Sequence, residues 1–346
     1  MQRLPGRLVH TNIIGCSIFA AVSGSSAATC ATIGKMTVPE LRRRGYPDSI
    51  AIGSLAGAGT LGLLIPPSLI MIVYGVQAEV SVAKLFAAGV IPGIMLALLF
   101  MGYVAVWATL NPGRVPPRDP STSLGTKLRA SGSLIPVVLL ILVVLGSIYA
   151  GIATATESAA FGVLGSFVIA AAQRRLNLDT FWQSVMGATR LTAMILLILA
   201  GASFLKLAMG FTGLPRHLAE TIAAWQLTPA MLILVLAILY IILGCFLDGI
   251  SMVVLTIAIV MPMVEQAGID KIWFGIFVTL VVEMAQITPP VGFNLFVLQG
   301  MTGKSIFWIG KVSFPFFLLM CVAVVITYVF PDLVMWLPNQ MTQAAR

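Results

Sequence analysis

Charge is the property this chain most nearly lacks. Only 9% of its 346 residues are Asp, Glu, Lys or Arg, whereas 59% are hydrophobic, and mean hydropathy is +1.03. So little charge cannot clothe a water-soluble domain of this length, which excludes that class. Titratable and metal-ligating side chains are equally scarce. The two histidines, His10 and His217, fall in segments read as solvated loops. The four cysteines, Cys16, Cys30, Cys245 and Cys321, stand singly in apolar stretches without paired spacing. A disulfide framework and a thiolate metal centre are therefore excluded. HExxH, Walker, Rossmann and GxSxG patterns are missing, and no Ser-His or paired-Asp arrangement supplies a nucleophile with its base. The chain is not read as an enzyme, and without an ATPase signature its energy source is an ion gradient. No signal-peptide pattern opens it: MQRLPGRLVHTN is polar and leads straight into an apolar run.

What is present is a succession of apolar runs. A helix needs about 20 residues to cross a bilayer, and spans are predicted at 85–110, 133–152, 157–172, 190–210 and 312–330. Three further apolar regions, 13–34, 50–76 and 229–300, are interrupted by Gly, Ser, Asp and Pro clusters. Residues 111–132 are polar and rich in Pro and Gly, hence a loop. The net charge of +8 could suit nucleic acid, but the basic residues lie in short loops, where membrane orientation explains them. One set of loops holds Arg3, Arg7, Lys35, Arg42, Arg43, Arg44, Arg114, Arg118, Lys127, Arg129, Arg174, Arg175, Arg190, Lys304 and Lys311, fifteen of the twenty Lys and Arg. By the positive-inside rule this set is cytoplasmic. Lys84, Arg216, Lys271 and Arg346 mark the opposite side, with Lys206 near a span end. The assignment works only if 13–45 and 229–270 each enter and leave on one side, so both are predicted to be re-entrant hairpins.

Two stretches then raise a physical question. GTLGLLIPPSLIMIVYG and EMAQITPPVGFNLFVLQG each set a Pro-Pro pair inside a membrane-grade run, although proline removes an N–H and clashes with the preceding turn. At a fixed offset of 223 residues, Pro66 and Pro67 fall on Pro289 and Pro290, Pro39 on Pro262, and Gly45 on Gly268. The same offset sets the polar cluster Ser23–Thr29 on Phe246–Met252. Each copy reads as a hairpin followed by a helix broken at Pro-Pro. Because the copies start on opposite sides, they form an inverted repeat, the signature of secondary transporters whose sites lie at mid-membrane. Residues 1–110 are an incomplete first repeat, with hairpin 13–45, broken helix 50–76 and arm helix 85–110. Residues 111–132 are a cytoplasmic loop. Residues 133–330 are the second repeat, with spans 133–210, hairpin 229–267, broken helix 272–300 and a last span at 312–330; 331–346 is a tail. Shifted by 223, the first repeat would start about 90 residues before Met1, so the chain is expected to lack its N-terminal spans.

Irregular backbone at membrane depth is tolerated where it is buried in protein or lines a watery cavity. A Pro-Pro break frees carbonyl oxygens that suit a hard cation, and the half-helix after it directs N–H groups that suit an anion. One hairpin tip plus one broken helix makes an ion cup, and the chain has two. The first would use Ser23, Gly24, Ser25 and Ser26 with Gly62, Ile65, Pro66, Pro67 and Ser68. The bland alternatives are small residues for helix packing and a simple kink. The second would use Asp248, Gly249 and Ser251 with Glu283, Thr288, Pro289, Pro290, Gly292 and Asn294. An intramembrane carboxylate needs a partner, and Asp248 serves either an ion or a helix N-terminus. Thr154, Thr156 and Glu157 are pathway residues or a structural anchor. Proton coupling through Glu157 or Glu283 remains the alternative to Na⁺. The glycines of AIGSLAGAGTLG read as close packing or a mobile interface rather than as a nucleotide loop.

Taken together, SGSSAATCATIG, PELRRRGYPDSIAIG, GLLIPPS, GIATATESAA, GCFLDGISM and ITPPVGFNLFV resemble, in order and over essentially the whole chain, the large membrane subunit of TRAP (tripartite ATP-independent periplasmic) transporters. The resemblance implies an all-α polytopic membrane fold of the elevator-type ion-transporter superfamily. It implies a Na⁺-coupled importer of small carboxylates, such as C4-dicarboxylates, in the bacterial inner membrane. It also implies two partners, a small four-helix membrane subunit and a periplasmic substrate-binding protein, with Na⁺ as coupling ion and no cofactor. The substrate carboxylate would sit between the hairpins. Two positions depart from the family pattern: Thr29 stands where many relatives carry Asp, and Ala155 where they carry Pro. The other readings are a stand-alone ion or anion transporter of the same superfamily, and a non-transporting fragment.

Overall fold

In the computed structural model the described residues are 4–117, 132, 135–213, 217, 220 and 228–344. They form fourteen α-helices and, among these residues, no strand. The protein is an all-α, integral membrane protein. Among the described residues five helices are long and apolar enough to cross a bilayer, or six if one bent pair is counted as a single span. The chain divides into two units, Met1–Arg118 with Met209–Gln340, and Asp119–Ala208 with Met341–Arg346.

The first unit holds both Pro-Pro breaks. Helices α1 (His10–Ser23) and α2 (Ser26–Arg43) form the first hairpin. Helix α3 (Asp48–Leu64) ends at the first break and α4 (Leu69–Gln77) resumes after it, bent by 41°. Helix α5 (Val82–Leu110) is the arm. The order then recurs. Helices α9 (Pro229–Gly244) and α10 (Gly249–Gln266) form the second hairpin. Helices α11 (Lys271–Gln286) and α12 (Phe293–Thr302) flank the second break, and α13 (Ile306–Val329) is the second arm.

Local chemistry sets these boundaries. The first N–H groups of a helix need acceptors, and Ser, Thr or Asp supplies one. Ser25 caps α2 and Asp248 caps α10, and both helices begin and end at the 223-residue offset. Each hairpin joins its broken helix through a glycine with left-handed backbone, Gly45 at φ 83° and Gly268 at φ 69°. The arms repeat too: Ser81 and Ser305 cap α5 and α13, and each arm carries an interior proline, Pro92 and Pro315.

Packing relates the copies by an approximate two-fold axis. Helix α2 packs on α12 while α10 packs on α4, and α3 packs on α13 while α11 packs on α5. Such exchanged partners are what a two-fold relation between repeats produces. Helices α3 and α11 pack on each other at the axis. Helix α3 is buried almost throughout, and its glycines explain how neighbours come so close. A Cβ on Gly53 would meet Val312 O at 2.3 Å, one on Gly57 the Phe316 ring carbon at 2.6 Å, and one on Gly59 the Cys30 Cβ at 2.8 Å. The glycine run serves close packing.

In the second unit, α6 (Ile135–Tyr149) and α7 (Ala155–Ala172) form an antiparallel pair whose Ser147 and Ser158 hydroxyls bond at 2.8 Å. Helix α8 (Leu178–Thr212) runs on into the first unit's residues. Its 35 residues rise roughly 50 Å, more than a bilayer core is thick. Leu197 and Phe204 are 76% and 75% exposed, as side chains are where the surroundings are apolar.

Several expectations change. His10 is not a solvated loop residue: it opens α1, is 1% exposed, and its Nε2 lies 2.6 Å from Pro5 O. Burial follows because the residues before α1 fold back over it. His217 is exposed, 3.8 Å from Glu220. Arg190 lies inside α8 and Lys311 inside α13 rather than in loops. The tail contains a helix, α14 (Asp332–Ala344). The hairpin arm α10 is long enough to span, whereas α6 has 15 residues. Most of the 111–132 loop, with Arg118, Lys127 and Arg129, lies outside the described residues, as do Arg3, Arg216 and Arg346.

Candidate functional site

At the first tip the chain must reverse between two helices without blocking what approaches it. Gly24 does both, with a left-handed φ of 59°. A Cβ there would stand 2.9 Å from Pro67 O, so the tip touches the first break. Leu69 N donates to Gly24 O at 3.3 Å across the same contact. Gly62 closes the other side: its Cβ would meet Ser25 O at 2.6 Å and Thr29 Oγ1 at 2.7 Å.

Oxygen lines this junction. Ser23 Oγ and Thr29 Oγ1 are 2.6 Å apart, and Thr29 donates to Ser25 O at 2.8 Å. Helix α3 makes its final bond from Ile65 N to Leu61 O. Because Pro66 and Pro67 have no N–H, the Gly62 and Leu63 carbonyls lose their usual helical donors. Ser68 is fully buried and caps α4, accepting from Met71 N at 3.4 Å. Thr29 was absent from the predicted ligands; its spacing of four from Ser25 and six from Ser23 is the signal that places it on the tip's face.

The second junction has the same plan with different chemistry. Cys245 Sγ lies 3.4 Å from Pro289 O, joining tip to break. Asp248 is exposed, and its Oδ2 accepts from Ile250 N at 3.1 Å and Ser251 N at 3.3 Å. One carboxylate oxygen thus caps α10 while the other is uncommitted among the described residues. A Cβ on Gly249 would meet Val282 at 2.6 Å and Ile70 at 3.2 Å. Within the break, Thr288 donates to Met284 O at 2.7 Å, and a Cβ on Gly292 would meet Gln286 O at 2.7 Å. Pro290 is exposed and Pro289 half-buried.

The structure also joins the two junctions. Ser26 Oγ donates to Asn294 Oδ1 at 2.9 Å, and Asn294 Nδ2 reaches Ala56 O at 3.5 Å. The first tip therefore meets the half-helix that follows the second break.

Glu283 goes elsewhere than expected. Its place one turn before Thr288 suggested the second cup, but its carboxyl turns toward Thr60 and the Leu64 backbone of α3. It is fully buried, and neither oxygen completes a hydrogen bond. Thr60 corresponds to Glu283 at the 223-residue offset, so a polar pair sits where α3 and α11 meet. In the second unit, Thr154 and Glu157 form a capping box at the start of α7, with Thr154 N to Glu157 Oε2 at 2.8 Å. Thr156 follows on the exposed first turn. The geometry there is that of a helix N-terminus.

Among the described residues no group of three His, Cys, Asp or Glu is placed to hold a metal. The first junction instead offers neutral hydroxyl and carbonyl oxygens, a donor set for a hard ion of low charge.

Comparison with known proteins follows the same lines. Residues 2–333 match the family profile described as "Tripartite ATP-independent periplasmic transporter, DctM component". The C4-dicarboxylate TRAP transporter large permease protein DctM of Pseudomonas aeruginosa is 34% identical over 335 residues, covering 96% of this chain and 78% of that protein. The isethionate TRAP transporter permease protein DctMQ of Oleidesulfovibrio alaskensis is 33% identical, covering 96% of this chain and 52% of its own length. Among solved structures, the Alcanivorax borkumensis YdaH transporter shares the fold, with a TM-score of 0.59 at 16% identity over 95% of this chain and 85% of that one.

Proposed function

The chain belongs to the DctM component of the tripartite ATP-independent periplasmic transporters, and from that premise we propose that it is a Na⁺-coupled importer of small carboxylates in a bacterial inner membrane. It is a transport permease, not an enzyme. The first cation would lie where the Ser23–Ser26 tip faces the break from Gly62 to Ser68, with Thr29 beside it. The second would use the uncommitted oxygen of Asp248 with Ser251, Thr288 and the backbone from Pro289 to Asn294. The substrate carboxylate would lie between the hairpins, facing tip N–H groups and hydroxyls. A small four-helix subunit and a periplasmic binding protein complete the system, and the tips and broken helices move together as an elevator block. Substrate class is the finest part of this reading, because the two relatives named above carry different anions by name, a C4-dicarboxylate and isethionate.

The observation that carries the proposal is the oxygen-lined contact between Gly24 and Pro67, at a break that leaves carbonyls without helical donors. Thermal unfolding of the purified chain in NaCl, LiCl and KCl tests the cation. Selective stabilisation by Na⁺ that Ser25→Ala reduces supports the assignment, and identical curves in all three salts refute it. Proteoliposome uptake of succinate and of isethionate, with and without a Na⁺ gradient and with both partners, tests transport.

A further inference from the structure

We propose that Glu283 is a proton-binding site closed between the two repeats, holding a neutral carboxylic acid in the assembled bundle. The claim goes beyond the cation cups and holds whichever ion fills them. Glu283 is 0% exposed, and both carboxyl oxygens lack a hydrogen-bond partner. An ionised carboxylate is acceptor-only, and burying one unpaired is far more costly than burying the acid.

The neighbours point the same way. Thr60 directs its own hydrogen to Gly57 O at 2.8 Å, with Met320 Sδ 3.9 Å away. Its hydrogen is therefore committed elsewhere, and neither Thr60 nor the Leu64 backbone completes a hydrogen bond to a Glu283 oxygen. A protonated carboxyl has a hydrogen of its own to donate, and an ionised one has none. A coupling cation is a poorer fit, because the carboxyl and one hydroxyl are too few oxygens to replace a hydration shell.

No charged group on the helices packed against α11 offers an alternative partner. Asp48 on α3 is paired with Arg42 and Lys304, and Glu265 on α10 with Lys271. Lys84 and Lys311 stand near the starts of α5 and α13. Tyr74 on α4 bonds Lys271 O, and Tyr240 on α9 bonds Thr256. Tyr103, Tyr328 and Cys321 lie on the arms, and none is a partner of the Glu283 carboxyl. Because Thr60 and Glu283 occupy corresponding positions where the repeats meet, any rearrangement that wets this interface would release the proton to that side.

Infrared spectroscopy of the full chain in lipid bilayers at pH 7 tests the site. The expected result is a carbonyl stretch of a protonated carboxylic acid that moves down in D₂O, shifts with carbon-13 glutamate, disappears in Glu283→Gln, and persists as NaCl is raised. Absence of the band in the unsubstituted protein overturns the proposal. Loss of the band on adding Na⁺ but not K⁺ also overturns it, in favour of a cation site. If Glu283→Gln does not fold, the isotope shift in the unsubstituted chain decides, because Glu283 is the one buried glutamate among the described residues. The band reports Glu283 alone, whereas Na⁺-dependent thermal stabilisation reports the cups, so either idea can fail without the other.

Discussion

Ser26 and Asn294 lie 268 residues apart and share a buried hydrogen bond of 2.9 Å. Ser26 opens α2 at the first tip, and Asn294 lies in the first turn of α12 after the second break. At the 223-residue offset this pair corresponds to Gly249 and Met71, neither of which carries a hydroxyl or an amide, and a Cβ on Gly249 would meet the apolar side chains of Val282 and Ile70. Corresponding positions thus hold a polar clasp on one side and apolar packing on the other. The repeats are alike in backbone and unlike in chemistry.

The clasp should be worth measuring by removal. Ser26→Ala leaves Asn294 Oδ1 buried without its donor, at a cost of about 1–3 kcal/mol. Asn294→Ala should lose a similar amount. The double substitution should lose less than the sum, by about 0.5–3 kcal/mol of coupling. Thermal denaturation of the four proteins checks this, and strict additivity would show that the bond is incidental.

Gly62→Ala is expected to push the first tip away from its break, because the new Cβ would meet Ser25 O at 2.6 Å. Backbone on one side and a helix on the other leave little room to yield. Na⁺ stabilisation should fall sharply. Gly102→Ala is the control, since a Cβ there meets nothing within 4 Å, and it should leave the Na⁺ titration unchanged.

Asp248 combines two roles that substitutions can separate. Asn is as good a helix cap as Asp, so Asp248→Asn should keep α10 stable while weakening the Na⁺ response. Asp248→Ala should lose the cap as well, about 1 kcal/mol. If Asp248→Asn titrates with Na⁺ as the native chain does, the carboxylate is only a cap.

At the start of α7, Thr154→Ala removes the hydroxyl that caps Glu157 N at 3.3 Å and bonds its carboxylate at 2.8 Å. Local stability should drop by about 0.5–2 kcal/mol. Hydrogen exchange in the first turn of α7 should rise, with the Na⁺ titration unmoved. A changed Na⁺ midpoint would make this helix start part of the ion pathway.

Much of the fold was legible because its punctuation is local. Ser25, Ser68 and Asp248 cap helices by their own side chains, and Pro66–Pro67 and Pro289–Pro290 interrupt the helices that contain them. Such signals need no partner to be read. The direction in which Glu283 faces was not legible, for the opposite reason. Helices α3 and α11 are buried on every side, so no exposed face reveals which side looks where, and proximity in sequence to Thr288 is a poor guide to direction. His10 failed similarly: a polar residue near a chain start reads as solvated until the segment before it is seen to cover it.

The sequence alone decided the solvent, the helical class and the repeated plan of hairpin and broken helix, because hydropathy, capping and proline sterics act over a few residues. Tertiary structure alone decided that Ser26 meets Asn294, that Thr29 lies against Gly62 at the first junction, and that Glu283 faces Thr60. Those outcomes depend on how two distant copies dock about an axis. Long-range packing between apolar helices leaves almost no trace in the order of their residues.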